Sequence, residues 1–234
     1  GDSKIFIEKP FGGYTNQYVK NFAENEEILI GYVLRFNPCV QWVKSKISPS
    51  NIKNISCTYF SNTIEKKPEG WRNSNFSGVL NEMGSHLIDL VFYLTGFKKV
   101  NLLTSSMKSV VSDVDDIVKA TFESSSSVKI DFHFNWVKKA IRKPIFEIKI
   151  ELRDNTCFIF DQQIINKYDS SGKKVLSKSV ADLNQKVPYY LRGVDFTLQM
   201  MDLLGEKKIL ATAKDAFKVN LLMKQIIENE NNIR

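Results

Sequence analysis

The stretch GVLNEMGSHLIDL, residues 78–90, holds one of only two histidines in the chain. Wound at about 100° per residue, it puts Glu82, His86, Asp89 and Tyr93 in one narrow stripe. Leu80, Met83, Leu87, Leu90 and Leu94 fall on the opposite side. An imidazole titrates near neutrality, and a carboxylate one turn away can orient it and stabilise its charged form, so the stripe is suited to acid–base catalysis. Spacing alone leaves other readings open. A solvated helix face with i,i+3 and i,i+4 polar pairs, each worth roughly a few tenths of a kcal/mol, gives the same pattern. A metal site would draw on only one further histidine and no paired motif. A di-iron bundle would need a second Glu-x-x-His helix, which the sequence lacks.

Helical spacing predicts that this helix runs from about Gly78 to Leu94 and closes at Gly96. The segment before it, EKKPEGWRNSNFSG, has no periodicity and reads as a long loop. Further upstream, KIFIEKP reads as a short buried strand stopped at Pro10 and the pair Gly12-Gly13. Thr15 is placed to cap a helix to about residue 25, and EILIGYVLRF reads as a second strand, which makes a βαβ-like unit. PCVQWVKSKI predicts a helix opened by Pro38, and NIKNISCTYFSNTI a strand. From about residue 99 to 178 the pattern turns to period two, as in VKIDFHFNWV, which predicts antiparallel strands. The tail is helical, with Thr212 and Asp215 spaced as a capping pair. The expected fold is therefore α+β: an open, mainly antiparallel β-sheet with helices, preceded by a β-α-β unit.

A chain of 234 residues, 43% hydrophobic and 25% charged, has an ordinary globular composition. No apolar run approaches the roughly 18–20 residues of a membrane span, and the N-terminus lacks a signal-peptide layout, so the expected location is cytoplasmic, without membrane partners. Cys39, Cys57 and Cys157 are scattered, which argues against a disulfide framework or a zinc knuckle. The net charge of +7 is spread along the chain without a dense basic run, so an anionic small substrate is favoured over nucleic acid.

The motifs EKP at 8–10, GYVLRFNP at 31–38, GWR at 70–72 and SGVLNEMGSHLIDL at 77–90 together resemble the Gfo/Idh/MocA family of NAD(P)-dependent oxidoreductases, which act mostly on sugars and cyclitols. The resemblance covers essentially the whole chain and corresponds to the last two thirds of such enzymes. It implies that residues 1–35 are the trailing part of a Rossmann-type dinucleotide-binding domain. Residues 36–234 would be the substrate-binding domain, with helices on one face of the sheet and the other face used for homo-oligomerisation. No Gly-x-Gly-x-x-Gly occurs in the sequence, so weak cofactor affinity and negligible turnover are expected of these 234 residues alone.

Carried over residue by residue, the resemblance assigns Lys9 and His86 to catalysis. Lys9 stands between nicotinamide and the substrate hydroxyl, and His86 is the acid/base. Glu82 occupies a position where the family usually has aspartate, either touching substrate or orienting His86. Glu8, Lys9 and Pro10 are the expected cofactor-side residues, with NAD or NADP as cofactor and no metal. Arg35, Trp71, Arg72 and Asp89 are expected on the substrate side, Asp89 in a supporting position, with a sugar or nucleotide sugar as substrate. A core anchor under the loop is an equally good reading of Trp71. His133, on the polar face of its strand, is expected in solvent. The alternative to an enzyme is a non-catalytic module for oligomerisation or ligand sensing, to which EKP and the Glu82/His86 pair would be of no use.

Overall fold

The computed structural model describes residues 4–12, 19–74, 77–183, 186–188, 193–205 and 209–233. In chain order the elements are β1 (Ile5–Ile7), α1 (Val19–Phe22), β2 (Ile28–Ile30), α2 (Pro38–Lys44), β3 (Ile52–Phe60), α3 (Ser85–Thr95), β4 (Val100–Lys108), β5 (Ile117–Ser124), β6 (Lys129–Asn135), β7 (Ile145–Leu152), β8 (Cys157–Phe160), β9 (Ile164–Tyr168), β10 (Lys174–Ser179), α4 (Val194–Leu204), β11 (Ala211–Thr212) and α5 (Ala213–Ile233). The fold is α+β, as the alternation of periods predicts.

Among the described residues, two sheets organise it. β10-β9-β8-β7-β3-β6-β5-β4 form the large one, antiparallel throughout except where β3 runs parallel to β6. Period-two alternation sends Ile55 and Cys57 of β3, Ile130 and Phe132 of β6, and Ile148 and Ile150 of β7 to one buried face. Helices cover that face: α2 lies against β8 and β9, and α5 against β4. The opposite face carries half-buried and exposed polar groups, among them Thr58, Lys119, Asp131, His133 and Lys149.

In the small sheet β1 pairs in parallel with β2 (Ile5↔Ile28), and β11, from near the other end of the chain, pairs antiparallel with β2 (Ala211↔Ile30). The strand–helix–strand unit is therefore present. The expected Thr15 cap and Gly13 lie outside the described residues.

Local rules account for several boundaries. The Asn37 side chain accepts from Cys39 N–H, and Pro38 opens α2 at its first turn. Thr212 and Asp215 cap α5 reciprocally, each backbone N–H donating to the other's side-chain oxygen at 3.3 Å. Gly96, at φ 66°, takes the left-handed position that closes α3.

One expectation is corrected. EILIGYVLRF does not stay extended: the strand ends at Ile30 and Val33–Phe36 tighten into a 3-10 turn. All four turn residues are buried, Arg35 included, so tertiary burial overrides the strand propensity of the sequence. The three cysteines are free thiols. Among the described residues, no helix is long and apolar enough to cross a membrane.

Candidate active site

The helix bearing His86 does not begin as a regular α-helix. Leu80–Gly84 form a π turn, and Ser85 N–H donates to Leu80 O, five residues back. The wider turn changes the angle between Glu82 and His86, so the uniform 100° stripe does not hold at its first member. Nor is the stripe a wet face. His86 is 8% and Asp89 1% exposed, and Glu82 and Tyr93 are half-buried, which rules out the solvated-face reading. The Ser77 hydroxyl donates to Glu82 Oε1 at 2.8 Å and holds that side chain back toward the preceding loop.

Lys9 enters from β1. It follows the strand directly, its peptide bond to Pro10 is cis, and its Nζ donates to the backbone carbonyl of Glu82 at 2.5 Å. Burial lowers the Lys9 pKa, with the Glu82 and Glu8 carboxylates pulling the other way. Glu8 is exposed and Pro10 half-buried. The Glu8 carboxylate lies over Gly31, where an added Cβ would come within 2.9 Å of Oε2.

His86 Nδ1 is buried and has no hydrogen-bond partner among the described residues. Its ring meets Tyr32 edge-on, with centroids 6.0 Å apart. Burial first, and the nearby Lys9 charge second, hold the imidazole pKa well below its ordinary value, so the ring is neutral at pH 7. Distant segments thus bring together an ammonium group and a neutral imidazole. One can polarise an oxygen, and the other can take its proton.

Arg35 and Asp89 are placed differently from the expectation for the substrate mouth. Arg35 Nε and Nη2 donate to the two Asp89 oxygens at 2.8 and 2.5 Å. Its Nη1 reaches Asp215 at 3.2 Å and Ile209 O at 3.4 Å. With every guanidinium nitrogen engaged, Arg35 has no free fork to offer a ligand carboxylate or phosphate, and its contacts are structural. The pair is buried beside the Tyr93 ring, whose centroid lies 5.0 Å from the guanidinium carbon and 3.8 Å from Lys44 Nζ. Burial raises the Asp89 pKa against the opposing pull of Arg35.

Trp71 and Arg72 sit on an exposed 3-10 turn, Gly70–Asn73, with the guanidinium 5.3 Å from the indole centroid. Trp71 is 65% exposed, which excludes the core-anchor reading. His133 is half-buried rather than fully in solvent. It packs edge-on to Phe60 at 4.6 Å and lines an open groove of about 480 Å³ on the outer sheet face. Among the described residues, no group of three His, Cys, Asp or Glu could hold a metal ion.

Sequence reasoning missed Tyr32, a buried ring against His86 whose hydroxyl has no partner among the described residues. It also missed Asp115, which accepts from Leu80 N–H at 2.7 Å at the start of the His86 helix. Nothing local marks either one. Asp215 was legible only as a cap, not as a partner of Arg35.

Residues 50–152 match the family described as GFO/IDH/MocA C-terminal domain. A protein of Schizosaccharomyces pombe (strain 972 / ATCC 24843) named Uncharacterized protein UNK4.17 is 29% identical over 102 residues. That alignment spans 41% of this chain and only 25% of the yeast protein. The fold is shared with an oxidoreductase domain protein from Kribbella flavida at a TM-score of 0.81 and 16% identity, over 99% of this chain and 72% of that one. Levoglucosan dehydrogenase in complex with NADH and levoglucosan superposes at 0.79 with 15% identity, over the same 99% and 72%. UDP-N-acetylglucosamine 3-dehydrogenase from Acidithiobacillus ferrooxidans superposes at 0.71 with 15% identity, again over 99% and 72%. Residues 50–152 are thus similar to the GFO/IDH/MocA C-terminal domain, and the two-sheet architecture as a whole shares the fold of these solved structures.

Proposed function

We propose that this chain is the substrate-binding portion of an NAD(P)-dependent oxidoreductase that moves a hydride between a nicotinamide cofactor and a carbinol carbon of a sugar or nucleotide sugar. The observation that carries the reading is the buried, unpartnered Nδ1 of a neutral His86 beside the Lys9 ammonium. An orphaned polar atom in a buried site needs a partner, and a substrate hydroxyl supplies one. The residues present therefore fit the reacting end of such a cofactor–substrate pair. Bound nicotinamide supplies the hydride acceptor or donor.

The protein's own part is charge and proton handling. Lys9, held by the Glu82 carbonyl, stabilises negative charge as it grows on the substrate oxygen. His86 Nδ1 accepts the hydroxyl proton in oxidation. Because its pKa is depressed, the imidazolium so formed gives the proton back readily in reduction. Glu82 orients the first turn, while Glu8 and Pro10 flank the cofactor side. Trp71 and Arg72, exposed and stacked on each other, offer an aromatic face and a cation to a sugar and its anionic substituent. In this reading residues 1–35 belong to the dinucleotide-binding unit and 36–234 to the substrate unit, whose β11 completes the small sheet of the first. The mixed polar outer face of the large sheet joins copies of the chain.

The test uses the intact protein with NAD or NADP and a panel that includes levoglucosan and UDP-N-acetylglucosamine, reading cofactor reduction at 340 nm. Lys9→Met is expected to lower kcat about 10²–10³-fold, the loss typical of one preorganised charge-stabilising donor. A near wild-type rate in that variant removes the assignment. The 234 residues alone contain no Gly-x-Gly-x-x-Gly cradle for the pyrophosphate, so calorimetry with NADH or NADPH is expected to give dissociation constants weaker than about 1 mM. Micromolar binding would show that the cradle is not needed.

A further inference from the structure

The connection between β4 and β5 is built to reach the start of the His86 helix. Within it the Asp116 carboxylate gathers the backbone N–H groups of Val110, Val111 and Ser112 at 2.6, 2.6 and 3.0 Å. It also accepts from the Ser112 hydroxyl and from Trp136 Nε1, both at 2.6 Å. Asp113 is tied to the long loop: its carboxylate accepts from Asn73 Nδ2 at 2.7 Å and Lys67 Nζ at 2.6 Å, and its N–H donates to Asn73 Oδ1 at 2.9 Å.

Asp115, between these anchors, is driven into the helix start. Its backbone O accepts from Val79 N–H at 2.8 Å, and its Oδ2 accepts from Leu80 N–H at 2.7 Å. Amides of a first helical turn have no partner inside the helix, so this carboxylate satisfies a group that would otherwise be orphaned. The fit over Gly78 is close. That residue has φ +108°, and a Cβ on it would lie 2.0 Å from Asp115 Oδ1.

We infer that Asp115 is a positioning residue for the acid–base pair: it holds the π turn whose Glu82 carbonyl receives Lys9 and from which His86 follows. The inference rests on the hydride-transfer reading. The physical chain is short, from Asp115 Oδ2 to Leu80 N–H, through the turn to Glu82 O, and on to Lys9 Nζ.

The environment of Asp115 adds a pH dependence. Burial pushes its pKa up to about 7; the Leu80 N–H opposes this, and the Asp116 and Glu82 carboxylates add to it. Once opened to water, the group returns toward its ordinary 3.8. The closed site binds the proton more tightly, so opening of this contact becomes easier as pH rises through about 7.

The test compares Asp115→Ala and Asp115→Asn in the full chain. It reads amide exchange at Leu80 and the imidazole resonances, of which there are only two to assign. In Asp115→Ala, Leu80 is expected to exchange about tenfold faster, the equilibrium weight of one hydrogen bond, and the His86 resonance to move. Asp115→Asn keeps the acceptor and restores both. It also removes the extra opening that the wild type gains between pH 6 and 8. In the cofactor-loaded intact protein, Asp115→Ala is expected to lower kcat about tenfold at unchanged KM, with rescue by Asn. Wild-type exchange and His86 resonance in Asp115→Ala, or an unchanged pH dependence in Asp115→Asn, overturn the inference. Absence of sugar-dependent cofactor reduction in the wild type overturns the hydride-transfer reading instead. The exchange and resonance data then still decide whether the clamp exists.

Discussion

His86→Asn is expected to lower sugar-dependent cofactor reduction by the intact protein about 10²–10⁴-fold, the usual contribution of a positioned acid–base group. The loss falls on kcat, because the proton is transferred in the transition state, whereas Asn can still hydrogen-bond the hydroxyl in the ground-state complex. Asn keeps a polar side chain in the pocket beside Tyr32 but cannot take a proton. A second readout separates chemistry from folding. Since burial and Lys9 depress the His86 pKa, the unfolded chain takes up a proton at this position below about pH 6.5 and the folded chain does not. Stability of the wild type therefore falls with acidity from about pH 6.5 downward toward the folded pKa, and His86→Asn loses that part of the slope. Melting curves at pH 5 and 7.5 measure it. A variant with wild-type kcat would remove His86 from the mechanism, and an unchanged acid slope would show that its imidazole is not held neutral.

Arg35→Met is expected to cost about 3–5 kcal/mol of stability, because it leaves the Asp89 carboxylate buried without its cation. For a chain of this size that is roughly 10 °C in melting temperature. Asp215 matters less here, since it is one-third exposed and water can replace the lost contact. The double variant Arg35→Met/Asp89→Leu is expected to recover most of the loss, because removing both charges also removes the desolvation cost. Arg35→Lys is not conservative at this position: one ammonium cannot bond both Asp89 oxygens in a fork and also reach Asp215. Thermal melts of the three variants decide it. An Arg35→Met protein as stable as the wild type would mean that the buried carboxylate finds its proton at little cost.

Much of the architecture could be read from periodicity, because alternation along residues 100–160 reports one buried and one wet face whatever the strands pair with. What could not be read was partnership. Nothing in NIKNISCTYF or VKIDFHFNWV says that these two strands run parallel in an otherwise antiparallel sheet. The π turn was equally hidden, because it depends on where Leu80 N–H and Ser85 N–H find acceptors and not on helical propensity. The candidate site divides the same way. Lys9, Glu82 and His86 carry local motifs and can be named from sequence. Arg35, by contrast, looks like an available cation until Asp89 and Asp215, far along the chain, are seen to occupy it. Tyr32 and Asp115 reach the site through tertiary packing alone, so residue type at those positions gives no warning.

The small sheet makes the two ends of the polypeptide mutually dependent. β2 is flanked by β1 on one side and β11 on the other, so Ala211 and Thr212 complete a layer begun by Ile5–Ile7. A cut placed near residue 35 would separate nothing cleanly. The larger piece would keep a two-residue strand stripped of its neighbour, and the smaller would surrender the backstop of its own sheet. The boundary that looks natural along the sequence runs, in space, through the middle of a shared wall.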